Sequence, residues 1–428
     1  MRRQVQGRRQ GPGKRQGPGD AAAGELKIRW ARAHMPVMAA LRARLSRTRP
    51  LRGVSVGMAL HLEAKTAVLA LSLKEAGARV HIAGCNPLST DDDVAAALRA
   101  RHRVAAFGRR GETGAEYYEA LDAVLDGRPQ VVVDDGADLL FLLHERRSGD
   151  LERVRGANEE TTTGVVRLKA MAREGALRLP VFDVNDAQMK HLFDNRYGTG
   201  QSVFDGLFTA TNLLVAGKAV VVAGYGWCGR GIARRADGLG ARVIVTEVDP
   251  VRAIEAVMDG YEVMPFARAL READLVVTAT GVRDILRPEH LKHIKDGCVL
   301  ANAGHFNVEV DPRVLQAGAR RRFKARGSVD AYELASGQTV YLVSDGRLVN
   351  LAAGQGHPVE IMDMSFALQL SCAVELWRTR GRLAPGVHPV PPRLDDQVAR
   401  LKLRSLGVKL DRLTPGQQEY MRSWREGT

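Results

Sequence analysis

Glu247 stands about 20 residues beyond a glycine-rich turn, Gly224-Tyr-Gly226-Trp227-Cys228-Gly229, the spacing a dinucleotide site requires. The turn follows an apolar run, Lys218 to Val222, that reads as a buried parallel strand. It opens an amphipathic stretch, Gly231 to Leu239, that reads as a helix, and a second strand, Arg242 to Thr246, ends on the acid. Glycines let the backbone approach a pyrophosphate, a helix N-terminus offers it free N–H groups, and the carboxylate accepts both ribose hydroxyls. Glu247 would repel a 2′-phosphate, so the cofactor expected is NAD rather than NADP. A lone Gly-x-Gly-x-x-Gly is a weak signal; strand, turn, helix, strand and acid in this order make a strong one.

The remaining chemistry-bearing groups gather after strand-like runs, where open α/β sheets bind ligands. Val131-Val-Val133 runs into Asp134-Asp135-Gly136. Pro180-Val-Phe182 runs into Asp183-Val-Asn185-Asp186, with Lys190, Asp194 and Asn195 following. Asn158 leads to Glu159-Glu160-Thr161-Thr162-Thr163-Gly164, the Val54 strand is followed by His61, and Cys298 to Ala301 by Asn302 and His305. Taken singly, Asp183, Asp186 or Thr161 reads as a helix cap, and a lone His61 or His305 as a structural histidine. Five such clusters beside one NAD turn argue for acid–base chemistry instead.

The elements that must position these groups alternate. Glu25 to about Ser46 reads as one helical stretch. Strands at Val54–Met58 and Arg79–Ala83 alternate with helices at His61–Glu75 and Asp92–Arg101, and further strands follow at Gln130–Val133 and Leu179–Phe182. A second series starts at Lys218 and continues through Asp274–Thr278 and Cys298–Ala301. The fold class expected is α/β: two doubly wound parallel-sheet domains joined by a hinge, with a short C-terminal helical segment. The expected organisation is a basic tail over 1–23, a substrate domain over 24–190 completed by 354–388, an NAD-binding Rossmann domain over 191–353, and an oligomerisation segment over 389–428. The pattern from Gln355 to Trp377 reads as a long helix that crosses back to the first domain.

Composition bounds the rest. The net charge of +14 invites a nucleic-acid reading, but six Lys and Arg against Asp20 sit in a Gly/Gln/Pro/Arg tail that cannot build a core. The remaining arginine is dispersed over helical faces, so no nucleic-acid partner is expected. Cys85, Cys228, Cys298 and Cys372 lack C-x-x-C spacing, so neither disulfides nor a metal site is expected, and a reducing cytoplasm is the simplest home. No apolar run is long enough to span a membrane.

Asn158-Glu-Glu-Thr-Thr-Thr-Gly-Val165, Val184-Asn-Asp186 with Lys190-x-x-Phe-Asp-Asn195, the Gly-Tyr-Gly turn, Asn302-Ala-Gly-His-Phe306 and Gly356-His-Pro358 occur in this order. Together they resemble the S-adenosylhomocysteine hydrolases over roughly Glu25 to Tyr420. The resemblance implies a hydrolase of the methyl cycle in one-carbon metabolism that cleaves an unactivated thioether by transient oxidation at the ribose 3′ position. It implies Lys190 as the base for the 3′-hydroxyl, a role needing a depressed pKa, with Asp194 orienting it and Asn195 approaching the nicotinamide. Asp135 would take the C4′ proton, and His61 and His305, titrating near neutrality, would handle the leaving thiol and incoming water. Glu160 would bind the ribose hydroxyls, Glu63 and Lys65 would face the base, His357 would lie towards the homocysteine end and hinge, and Thr66 and Met362 would also bind substrate. Thr161, Thr162, Thr163, Asn195, the Gly224–Gly229 turn, Glu247, Thr280, Asn302 and Asn350 fall where the family holds NAD. A homotetramer is implied as well.

Three departures stand out. The best-known members carry a cysteine where this chain has Thr199. The lysine- and tyrosine-bearing tail of longer members has no counterpart after Tyr420, so weaker cofactor retention is expected, with Arg422 or Arg425 contributing from a neighbour. Many members carry threonine and glutamate at Glu63 and Lys65; here His61-Leu-Glu-Ala-Lys-Thr66 resembles a short, mostly archaeal and thermophilic subgroup in which S-inosylhomocysteine can be the substrate. The adenosyl compound is the main expectation and the inosyl compound the alternative. Glu63 and Lys65 paired and turned elsewhere would leave the base to backbone groups. Two readings of another class are a net NAD dehydrogenase, which has no need of the Glu-Glu-Thr-Thr-Thr-Gly clamp, and a non-catalytic NAD-binding regulator, which the intact Lys190, Asp194, Asp135, His61 and His305 oppose.

Overall fold

The computed structural model describes residues 19–379 and 382–425; the basic tail before residue 19 lies outside them. Short β-branched runs between helices give six strands in the first half: β1 (Ser55–Ala59), β2 (Arg79–Ala83), β3 (Ala105–Ala106), β4 (Val131–Asp134), β5 (Ala157–Glu159) and β6 (Pro180–Asp183). Eight follow: β7 (Ala219–Ala223), β8 (Arg242–Thr246), β9 (Glu262–Val263), β10 (Leu275–Thr278), β11 (Val299–Asn302), β12 (Ala319–Arg326), β13 (Val329–Leu334) and β14 (Thr339–Val343). A late strand, β15 (Gly386–Pro389), returns to the first sheet, whose order is β15-β6-β5-β4-β1-β2-β3. Every pairing in that sheet is parallel. The second sheet runs β12-β13-β14-β11-β10-β7-β8-β9.

Each sheet therefore reverses direction of winding beside its first strand, at β1/β4 and at β7/β10, and such switch points open a crevice at the carboxyl ends of the strands. Both faces of each sheet are covered, which is why β1, β4 and β7 are buried along their whole length. The Val359–Thr379 helix buries fourteen of its 21 residues, and Met364, Phe366 and Leu370 sit in the same core as Val56 and Ile82 of the first sheet.

Several expectations need correction. The stretch from Glu25 is two helices, Ala21–Ala33 and Pro36–Thr48, because Pro36 starts a new helix at its first position; residues 21–23, expected in the tail, are helical. The long helix starts at Val359, after Pro358, and not at Gln355. The Ala64–Glu75 helix starts three residues past His61, and the cofactor-turn helix starts at Trp227, four residues before Gly231. The second sheet is not purely parallel, since β12, β13 and β14 form antiparallel pairs. β15 ends at Pro389, past the boundary expected at 388, and Leu394 and Val398 of the following helix lie in the first core.

Candidate active site

The switch-point crevice of the first sheet is filled by its own strand ends. β4 ends at Asp134, whose carboxylate accepts from the backbone N–H groups of Asp135 (3.0 Å) and Leu140 (2.8 Å). Glu159 at the end of β5 does the same for Gly136 (2.8 Å), Ala137 (3.1 Å) and Thr161 (3.0 Å). Burial pushes the Asp134 carboxyl up to about 7 and raises Glu159 well above its ordinary value, with neighbouring acids adding to both. These two acids are spent on holding the loop that presents Asp135. Gly136 takes φ +103°, and a Cβ there would come within 2.6 Å of the His305 Nε2, so only glycine lets the second sheet's histidine approach so closely.

His305 Nδ1 lies 3.7 Å from one Asp135 oxygen, and His61 Nε2 lies 3.5 Å from the other. The three ligand-type atoms are all within 4.8 Å of one another, a spacing suited to proton exchange. Cys85, two residues past β2, reaches His61 Nδ1 at 3.3 Å and Asp135 at 3.5 Å. Burial lowers the His61 pKa to about 4 despite Asp135; titration near neutrality was expected, and the desolvated imidazole is instead neutral there.

Lys190 opens a widened π-helical segment, His191–Gly198, that puts Asp194 and Asn195 on the same side as the lysine. Its Nζ donates to Asn195 Oδ1 (2.7 Å) and lies 3.4 Å from Asp194 and 3.5 Å from Glu160. Asp194 also accepts from Ser365 Oγ (2.8 Å) and bonds His357 Nδ1. Gln369 Nε2 donates to Glu160 at 2.5 Å, and Asn185 Oδ1 accepts from Asn195 (3.0 Å) and Thr162 (3.1 Å). Burial works to lower the Lys190 pKa, but Asp194 and Glu160 outweigh it and hold it above the ordinary value. This reverses the expected depression. Burial also raises Glu160, to about 8, against the pull of Lys190.

Thr199 sits in the same cleft, 3.3 Å from His357 Nε2 and 3.6 Å from the Cys228 sulfur. Glu63, Lys65 and Thr66 line it too, as does Met362. Lys65 is buried; its Nζ donates to the Gln355 carbonyl (2.8 Å) and lies 3.2 Å from Glu63. Glu63 caps the Ala64–Glu75 helix through the N–H groups of Lys65 and Thr66, and Thr66 Oγ1 donates to the His61 carbonyl at 2.6 Å. The pair is therefore in the cleft rather than turned away from it.

The glycine turn suits a dinucleotide. Gly224 has φ +95°, and a Cβ on Gly229 would run into the Gly224 carbonyl, so strand and helix close tightly. A Cβ on Gly226 would meet only Arg252, at 3.7 Å, leaving that face open for a pyrophosphate. Glu247, the residue after β8, accepts from the Tyr225 N–H at 2.7 Å, which ties the ribose acid to the turn. Asn350 lines the cleft with its Oδ1 buried and unpartnered. Other expected cofactor residues are spent on the protein: Trp227 stacks on His191 with ring centres 4.9 Å apart, and Thr280 donates to Glu309 at 2.7 Å. Asn302 is wholly buried, its Nδ2 bonded to the carbonyls of Gly304, Phe306 and Gly346, so it shapes the loop that carries His305. Thr161 lines the cleft, and Thr163 is half-buried on the first turn of the next helix.

Sequence reasoning did not assign Cys85, Ser365 or Gln369, nor a role for Asn185. Ser365 and Gln369 are buried polar positions four apart on a helix that buries mostly apolar side chains, and a buried polar side chain needs a partner; that was the available signal.

The chain matches two family models, "S-adenosyl-L-homocysteine hydrolase" over residues 17–152 and "S-adenosyl-L-homocysteine hydrolase, NAD binding domain" over residues 195–356. It is 57% identical to an S-inosyl-L-homocysteine hydrolase of Methanopyrus kandleri over 95% of this chain and 96% of that one. It is 56% identical to an adenosylhomocysteinase of Thermotoga maritima (94% and 99% covered). An adenosylhomocysteinase of Archaeoglobus fulgidus is also 56% identical (95% and 100% covered).

Proposed function

The chain belongs to the S-adenosyl-L-homocysteine hydrolase family, and we propose that it reversibly hydrolyses S-adenosyl-L-homocysteine to adenosine and L-homocysteine with NAD as cofactor. The observation that carries this reading is the convergence of Lys190, Asp194, Glu160, Asp135, His61 and His305 on one cleft between two switch points. NAD, when bound, supplies a transient hydride acceptor for the ribose C3′; the Gly224–Gly229 turn, Glu247, Asn195 and Asn350 are the groups fit to hold it.

Lys190 is the group to take the 3′-hydroxyl proton. It rests as an ammonium beside Asp194 and Glu160, so it must give up a proton before it can take the one from the 3′-hydroxyl. Asp194 and Asn195 keep the lysine aimed while the proton moves. A ketone at C3′ acidifies the C4′ hydrogen; Asp135 takes that proton, and homocysteine leaves C5′ as thiolate. His305 protonates the thiolate. Water then adds to C5′, losing its proton to His61, which is neutral and able to accept it. Asp135 returns its proton to C4′, and return of the hydride to C3′, with the proton on its oxygen coming back from Lys190, would restore the alcohol.

A second reading, hydrolysis of S-inosyl-L-homocysteine, is favoured by Lys65. An ammonium has no acceptor for the adenine amine but can donate to a hypoxanthine 6-carbonyl. On the same family reading we propose a cytoplasmic homotetramer of the methyl cycle; four free thiols suit a reducing compartment.

The test is reduction of bound NAD by adenosine. Lys190→Ala should retain NAD yet form NADH at least about 10²-fold more slowly. Asp135→Asn should form NADH and the ketone, but exchange C4′ hydrogen with solvent slowly. NADH formation near the wild-type rate in Lys190→Ala would remove the lysine from its role.

A further inference from the structure

A larger cavity, about 660 Å³, opens at the opposite edge of the first sheet, where β2, β3 and β4 begin. Catalysis is placed at the far ends of the same strands, one strand length or ~16 Å away. Lys74, Arg79, Arg103, Arg128 and Arg153 line this cavity. The one lining carboxylate, Asp126, is already paired with Arg147 at 2.9 Å. Lys74 donates to the carbonyl of Arg103 at 3.3 Å, and Arg153 pairs with Asp150. That leaves Arg79, Arg103 and Arg128 exposed, their guanidinium groups without an ion-pair partner among the described residues.

The backbone that presents two of the arginines separates this place from an ordinary arginine-rich surface. Arg103 and Arg128 both adopt left-handed backbone, at φ 51° and 52°. Each follows the end of a helix, where glycine or asparagine is usual. Beneath them, His81 Nδ1 and Arg153 Nε are buried with no hydrogen-bond partner. The His81 ring packs directly on Gly127, leaving no room there for a side chain. Both atoms lie under the cavity wall with almost no accessible surface, so a ligand would meet the arginines above them and not these nitrogens. Guanidinium forks around an open cavity match the oxygen geometry of phosphate.

We propose that this cavity binds a phosphate-bearing anion, at a site separate from the catalytic cleft. The ligand class is a chain of two or more phosphoryl groups, either free or carried by a nucleotide. Arg79, Arg103 and Arg128 neutralise it.

Isothermal titration of the full chain, purified with NAD bound, tests the proposal with pyrophosphate and with ATP. Saturable binding of one anion per chain is expected. In Arg103→Gly/Arg128→Gly the affinity should fall by roughly 10-fold or more. That double variant relieves two left-handed positions, so its melting temperature should hold or rise and its hydrolase activity should be unchanged. Arg79→Gln should weaken binding independently. Tighter binding of ATP than of pyrophosphate identifies a nucleotide, and equal binding identifies the phosphate chain alone. No saturation at millimolar pyrophosphate or ATP would overturn the proposal, as would equal affinity in the wild type and both variants.

Discussion

Lys190 shows burial and charge pulling one pKa in opposite directions, and charge winning. Burial alone would make the lysine a base, and from sequence that was the natural expectation; two buried carboxylates within 3.5 Å reverse it. The residue types at the strand ends were legible because Asp, Glu, Lys and His clusters after apolar runs have few other uses. Their protonation states were not, since these depend on distances that only the fold sets. The same holds for Lys65. It is buried in the cleft with one donor on the Gln355 carbonyl and another directed at Glu63. A third N–H remains for a ligand. A charged hydrogen bond is worth about 1.5–3 kcal/mol, so Lys65→Ala should lower the inosyl-to-adenosyl ratio of kcat/KM by roughly 10- to 100-fold. Steady-state rates with both thioethers decide it. An unchanged ratio would mean that Lys65 does not read the base.

At the scale of elements, the π-helical segment and the two helices packed on it set the site's precision. The segment widens the turn so that Lys190, Asp194 and Asn195 share a face, and the Trp227–Gly238 helix lies directly against it. A Cβ on Gly231 would run into the Arg196 carbonyl, and one on Gly200 would come within 2.5 Å of the Gly231 carbonyl. No side chain can be admitted without moving backbone. Gly231→Ala should therefore cost about 1–3 kcal/mol of stability and displace the cofactor helix from Asn195. The expected result is a lower melting temperature and a larger fall in NAD affinity than in the exposed control Gly238→Ala, measured by calorimetry and by NAD titration. Equal behaviour of the two variants would show that the contact does not position the site. Parallel strands and their order of appearance could be read from apolar runs bounded by turns. The antiparallel β12–β14 edge could not: Ala319-Arg-Arg-Arg-Phe-Lys-Ala-Arg326 is mostly exposed and carries charge where a strand is usually apolar. Charge on an edge strand keeps it from pairing with another chain, and it also hides the strand from a search for apolar runs.

Across the whole molecule the two sheets repeat one winding, and their switch points face each other so that His61 from one and His305 from the other reach the same aspartate. One region has no packing partner among the described residues: every residue from 404 to 422 is exposed, including Leu406, Leu410, Leu413, Tyr420 and Met421, with Trp424 beyond. The Pro415–Tyr420 helix has a complete capping box but buries no residue, so the segment is locally well formed and globally unsupported. A second uncovered apolar patch, Val248, Val251 and Ile254, borders Glu247 at the cofactor turn. Full burial of side chains of this size is worth roughly 1.5–3 kcal/mol each, enough for a handful of them to hold one copy against another. We expect the full chain to form an oligomer in which this arm is covered by a neighbour. Removing residues 408–428 should then shift the species seen by light scattering to a smaller mass and lower the NAD retained through gel filtration, while the melting of the remaining chain stays cooperative. If the shortened chain kept both its mass per particle in units of the chain and its full NAD content, the arm would have no part in assembly or in holding the cofactor.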